Sequence, residues 1–195
     1  MWSWGATDAD EAKPKFLTTE EKKGVYATAS GWVSQAGQAS SGNDNASAQP
    51  EVLVALRGLA TKLGQATVDA VEIVTTAMDA SEGGVIRVDV HYNEQVTVAT
   101  ATPLMVVTNS QAGGGSAANF TLAMDGSLPQ TGDSLSFSTT IAGGGAVAAD
   151  DVLSVGAQTI NLNGGTMVDA VGGGNAERAI SGAQGTAAGT LTVVA

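Results

Sequence analysis

Between Gly84 and Asn109 apolar residues recur at every second position, and this alternation constrains the chain more than any other feature. Ile86, Val88, Val90 and Tyr92 alternate with Arg87, Asp89 and His91. That is the period of two required by a strand with one face buried and the other wet. Asn93 and Glu94 interrupt the run, Val96 and Val98 resume it between threonines, and Pro103 precedes a third run from Leu104 to Thr108. The pattern predicts two strands joined at a turn on Asn93 and Glu94, then a further strand, as an antiparallel meander.

Shorter runs of the same kind surround it. Glu51 to Leu59, with Val52, Leu53, Val54, Leu56 and Leu59, fits a strand or a short helix, and the valines before Gly58 favour a strand; Thr67 to Met78, with Val71 and Ile73 flanking Glu72, predicts another. Phe120, Leu122 and Met124 alternate with Thr121 and Ala123, as do Leu135, Phe137, Thr139 and Ile141 with serine and threonine. Val152 to Val155, Thr159 to Leu162 and Thr190 to Val194 complete the set, with Met167 to Val171 as a further short strand or a turn. Turn signals such as Asp125-Gly126 and Asn163-Gly164-Gly165 separate the runs. Short strands at this spacing predict an all-β protein built as an antiparallel β-sandwich over residues 51–195.

Residues 1–50 differ in kind. Trp2, Trp4, Phe16, Tyr26 and Trp32 are five of the chain's eight aromatic residues. Between them Thr19, with Glu20 and Glu21 behind it, predicts a short helix that Gly24 ends. So short a segment cannot bury three tryptophans against itself, and the rings need another surface. The expectation is an extended N-terminal arm, containing at most a short helix, that docks on a partner through Trp2, Trp4, Phe16, Leu17, Tyr26 and Trp32. Ser34 to Gln49, made of small and polar residues, joins it to the sandwich as a linker.

Charge and residue types exclude several functions. A formal net charge of −11 with eight basic residues leaves no cluster to neutralise phosphates, which argues against nucleic acid. No apolar run reaches the roughly 20 residues of a membrane span, and no signal-peptide pattern opens the chain. Cysteine is absent, and His91 is the single histidine, so a zinc site or a serine–histidine relay has little to build on. The glycine triplets at 113–115, 143–145 and 172–174 lack the Lys-Ser/Thr of a phosphate loop and predict turns. No cofactor is called for. Carboxylates at strand ends are the weak alternative, with Asp150, Asp151 and Asp169 as calcium candidates.

Two stretches carry a family likeness. V-D-V-H-Y-N-E-Q-V-T-V followed by T-P-L-M-V-V-T-N, and later D-D-V-L-S-V-G-A-Q-T-I-N-L-N-G-G-T-M-V-D-A, resemble the two halves of a bacterial Ig-like repeat of cell-surface proteins. The likeness runs over residues 67–195, departs from the repeat pattern at Ser127 to Gly132, and implies an Ig-like sandwich. The opening W-G-A-T-D-A-D-E-A-K-P-K-F-L-T-T-E-E-K-K-G-V-Y-A-T-A-S-G-W-V resembles the beginnings of virion structural proteins of marine tailed phages, cyanophages in particular. Together these imply a non-enzymatic virion protein, foremost a capsid decoration or cement protein on the particle exterior, assembled in the host cytoplasm. Its partners would be the major capsid protein or other virion subunits, with self-association, a trimer among the forms that shell symmetry favours. A neck, tail or fibre component, or a carbohydrate-binding or adhesion module, is the alternative.

Overall fold

A computed structural model describes residues 13–38 and 45–195. The organising strand is β5, Gly83–Ala99, a single run of 17 residues. The expected turn at Asn93 and Glu94 is absent, and both residues lie inside the strand. Burial alternates without a break through Ile86, Val88, Val90, Tyr92, Glu94, Val96 and Val98, so Glu94 occupies an interior position in an otherwise apolar row. Each fully buried valine or isoleucine in that row contributes about 1.5–3 kcal/mol relative to exposure, which is why the run survives a polar pair in its middle.

The interruption is one of register instead. β5 pairs along its length with β8, Gln130–Ala142, from Gly83↔Ala142 to His91↔Ser134, and resumes at Val96↔Gly132. Four residues of β5 (92–95) therefore lie opposite the single Asp133, a wide bulge in the ladder. At this gap β1, Val25–Thr28, enters and pairs in parallel, Ala27↔Glu94.

β1 belongs to an N-terminal layer. Helix α1, Thr19–Lys23, begins with a capping box in which Thr18, one residue earlier than expected, caps Glu21 and is capped by it, and it ends at Gly24. β1 then turns back as β2, Gly31–Ser34, and β2 pairs with β3, Glu51–Ala55. A short helix α2, Leu59–Lys62, follows. Leu17, Val25, Ala27, Trp32, Leu59, Ala60 and Leu63 form a small core of their own, with Leu53, Val54 and Leu56 against it. Of the expected strand at 51–59 only Glu51–Ala55 forms, Leu59 opening α2 instead, and it packs with the N-terminal residues, while the larger core starts at Ala66.

The remaining elements surround that larger core. β4, Val68–Ile73, and β11, Thr166–Asp169, share one edge of β5. On the other side the sheet continues from β8 through β7, Asn119–Met124, β6, Leu104–Asn109, and β9, Val152–Ser154, to β13, Thr190–Thr192. Eleven of the described strands join this one mixed sheet, and β10, Gln158–Thr159, pairs separately with β12, Ala179–Ile180. The fold is mostly β. Between β12 and β13, Ser181 and Gln184 form a second capping box that starts α3, Gly182–Ala187, and the Gln184 amide reaches across to the Val68 carbonyl at 2.7 Å.

Candidate functional site

The six aromatic and apolar residues expected on the docking arm separate into three groups. Trp2 and Trp4 lie outside the described residues. Phe16 is 71% exposed, the most exposed of the large apolar side chains described. Leu17 and Trp32 are buried in the small core and Tyr26 is buried on the opposite face of β1, so none of the three presents its side chain to a partner. The cause is simple: Val25–Thr28 and Gly31–Ser34 are strands buried along nearly their whole length, and pairing them with β3 and β5 supplies the surface that Tyr26 and Trp32 need.

This layer meets the wet face of the sheet through polar groups. Buried Lys13 donates from Nζ to Asp69 Oδ2 at 2.8 Å and to the Lys22 carbonyl at 2.8 Å. Burial pulls the Lys13 ammonium below its ordinary range, against the Asp69 charge. Lys23 bridges Glu20 at 2.8 Å and Glu72 at 2.7 Å. Gln35 Nε2 donates to Asp133 Oδ1 at 2.5 Å, while Oδ2 of the same carboxylate is buried without a partner. Burial raises Asp133 despite that bond.

Beside these contacts is an open cleft of about 550 Å³, lined among others by Glu20, Lys23, Glu72, Arg87, Asp89 and His91. Arg87 is fixed there by Asp89, at 2.9 Å, and by Ser136, at 2.7 Å. His91 is mostly buried, and neither ring nitrogen has a hydrogen-bond partner; the closest carboxylate oxygen paired with it, Glu72 Oε2, is 3.8 Å away. Burial lowers its pKa, with Asp89 and Glu72 opposing. Ser134 faces it across the strands, but no hydroxyl is hydrogen-bonded to the ring. The geometry can offer a polar ligand carboxylates, hydroxyls and an imidazole; it assembles no nucleophile–base pair.

The calcium candidates do not converge. Asp150 is exposed, with φ 70°. Asp151 is fully buried, and its oxygens accept from Asn109 Nδ2 at 2.8 Å, Gly113 N at 2.8 Å and Ala148 N at 3.0 Å. Burial alone would raise its pKa, but these donors, with the Gly115 amide, hold it below the usual range. The first glycine triplet serves this contact: a Cβ on Gly115 would overlap Asp151 Oδ2, and one on Gly113 the Ala149 carbonyl. Asp151 thus pins two loops together with oxygens already in use. Among the described residues no group of three or more His, Asp or Glu side chains is placed to hold a metal ion.

Asp169, the third candidate, is on another part of the sheet. Its Oδ1 accepts from the amides of Val171 and Gly172, both at 2.7 Å, and its Oδ2 is buried and unpartnered. Near it stands Glu94, with no exposed surface and no partner for either oxygen. Burial first, and the Asp169 charge second, push Glu94 up to about 8. The sequence carried a signal for this residue. Glu94 has the same parity as Tyr92 and Val96, and the alternation continued through it would have placed it inside.

Among the described residues no helix is long and apolar enough to cross a membrane. No family model, curated protein or solved structure matches the chain.

Proposed function

We propose that the chain is a non-enzymatic structural protein of a tailed-phage particle, a decoration or cement protein whose acidic, Ig-like body stands outward from a docking segment at its N-terminus. The observation that carries this is Phe16, a largely exposed ring on the N-terminal layer, in a chain whose opening residues also include Trp2 and Trp4. An exposed aromatic in a segment whose sequence carries two further tryptophans has the composition of an interface anchor. The docking segment is accordingly shorter than an arm of 33 residues, since Leu17, Tyr26 and Trp32 support the body itself. The charge of −11 suits a body that repels its neighbours and remains in solvent. Contact with the major capsid protein or another virion subunit, and self-association, follow from the same reading.

The test is particle binding by co-sedimentation, comparing the full chain with a form lacking residues 1–12 and carrying Phe16→Ser. Each buried ring contributes about 1.5–3 kcal/mol to such a contact, so the altered form should lose association by at least tenfold while keeping its thermal transition. Unchanged association sinks the proposal. A second reading, a carbohydrate-binding module, is favoured by the polar cleft around Glu72, Asp89 and His91; binding of the full chain on a glycan array, lost in Asp89→Ala, would select it.

A further inference from the structure

Glu94 is placed where the N-terminal layer joins the sheet, and nothing in the proposed docking role uses it. Its backbone makes the Ala27↔Glu94 bridge, at the bulge where β8 leaves β5 to admit β1. Its side chain points inward with Tyr92 and Val96. Three carboxylate oxygens, both of Glu94 and Oδ2 of Asp169, are buried without a hydrogen-bond donor. Asp169 is held by two backbone amides through its other oxygen. A bare negative charge on Glu94, buried with no donor and with a second acid beside it, is strongly unfavourable at low dielectric, and a carboxyl in that position keeps its proton instead.

We propose that closure of the N-terminal layer over the sheet keeps a proton on Glu94, beside the Asp169 carboxylate, and that the layer loosens as the pH is raised. In the closed form Glu94 is neutral; in the opened form water reaches it and it ionises in the ordinary carboxylate range. Opening then releases one proton to solvent. Its equilibrium constant grows about tenfold per pH unit between that ordinary range and the closed-state value, and levels off above it. Asp169 is the charged group that acts on Glu94. Other titratable groups line the layer, Lys23, Tyr26, Asp69 and Glu72 among them. Asp133, raised by burial and bonded to Gln35, acts with the same sign as Glu94. Lys13 and His91, both lowered, act with the opposite sign.

Amide hydrogen exchange of the full chain, corrected for the intrinsic rate, reads this directly. Protection of the Val25–Thr28 and Gly31–Ser34 amides should fall about tenfold per pH unit from pH 5.5 and flatten near pH 8, while Leu104–Asn109 in the larger core stays constant. Glu94→Gln, which keeps the shape and removes the charge, should hold the layer closed at every pH. Asp169→Asn, which offers an N–H to an ionised Glu94, should flatten the fall in part. The proposal is overturned if protection does not fall, if Glu94→Gln leaves the fall intact, or if Asp133→Asn alone abolishes it. Restoration of protection at pH 9 by millimolar calcium would also overturn it, assigning the bare oxygens to a cation.

Discussion

Asp151 and the Glu94–Asp169 pair are both buried carboxylate sites in one sheet protein, and they are solved in opposite ways. Around Asp151 the chain brings Asn109, Gly113, Gly115 and Ala148 within reach as donors, and the charge is stabilised below the usual range. Around Glu94 it brings valines, a tyrosine and another carboxylate, and the charge is suppressed. Burial is the same in the two places; the number of N–H groups differs. A buried acid is therefore a loop staple or a proton holder according to the backbone around it, and the glycines at 113 and 115 are what let the backbone approach Asp151.

The same chemical change at both sites breaks the comparison most visibly. For Glu94 the sign follows from its raised value: the folded form retains a proton that the unfolded chain loses above about 4.5, so its stabilisation is complete below that pH and is lost as pH rises through about 8. Glu94→Gln should be nearly silent at pH 4.5 and should raise Tm at pH 9. The linkage from 4.5 to about 8 sets an upper limit of about 4–5 kcal/mol. Asp151→Asn should do the reverse. Its new amide would face donors on Asn109 and Ala148, lowering Tm by on the order of 5 °C, with little dependence on pH between 6 and 9. Thermal melts of the two variants at pH 4.5 and 9 decide both; a shift of the same sign at pH 9 would refute the distinction.

How much of this was legible in the sequence depends on the range of the interaction. The β character, the limits of β7 and β13 to within a few residues, the end of β8 at Ala142 but not its start at Gln130, and the capped helix near Thr19 all follow from local alternation and capping chemistry. Helix α3 had its Ser181-x-x-Gln184 box in plain view within a stretch that reads as polar loop. The long-range pairings were not legible. That Ala27 would bridge Glu94, or that Val54 would pack with Trp32, depends on contacts between segments far apart in the chain, which periodicity does not encode. The aromatic content of the first 33 residues consequently suggested a partner surface for all five rings, of which Tyr26 and Trp32 find their own within the chain. Asp151 was legible as a carboxylate at a strand end, but its saturation by donors from two loops was not.

His91 sharpens the contrast as a mostly buried group whose ring nitrogens have no hydrogen-bond partner, with its sign inverted. Burial raises Glu94 and lowers His91, so each is pushed toward its neutral form. Since burial depresses its folded value, the unfolded chain takes up a proton first as pH falls below about 6.5, and stability declines from there toward acid. His91→Gln should remove that share of the decline, so that the difference in Tm between pH 7 and pH 5 is smaller in the variant than in the parent. An unchanged difference would mean that the ring reaches water or a donor in solution. The effect is expected to be smaller than either amide exchange, because Asp89 and Glu72 partly compensate the protonated ring.

The smallest effect is expected where a charged group has both a partner and solvent. Lys23 makes short contacts to Glu20 and Glu72, as good in geometry as any at Asp151, yet Glu20 is largely exposed and Glu72 partly so. Water screens such pairs, and an exposed bridge contributes about 1 kcal/mol or less. Lys23→Met should therefore cost under about 1 kcal/mol in a urea melt at low salt, and less again at 0.5 M sodium chloride. A loss of several kcal/mol would mean that the layer is closed chiefly by its salt bridges, and the weight placed on the environment of Glu94 would then move to the Lys23–Glu72 contact.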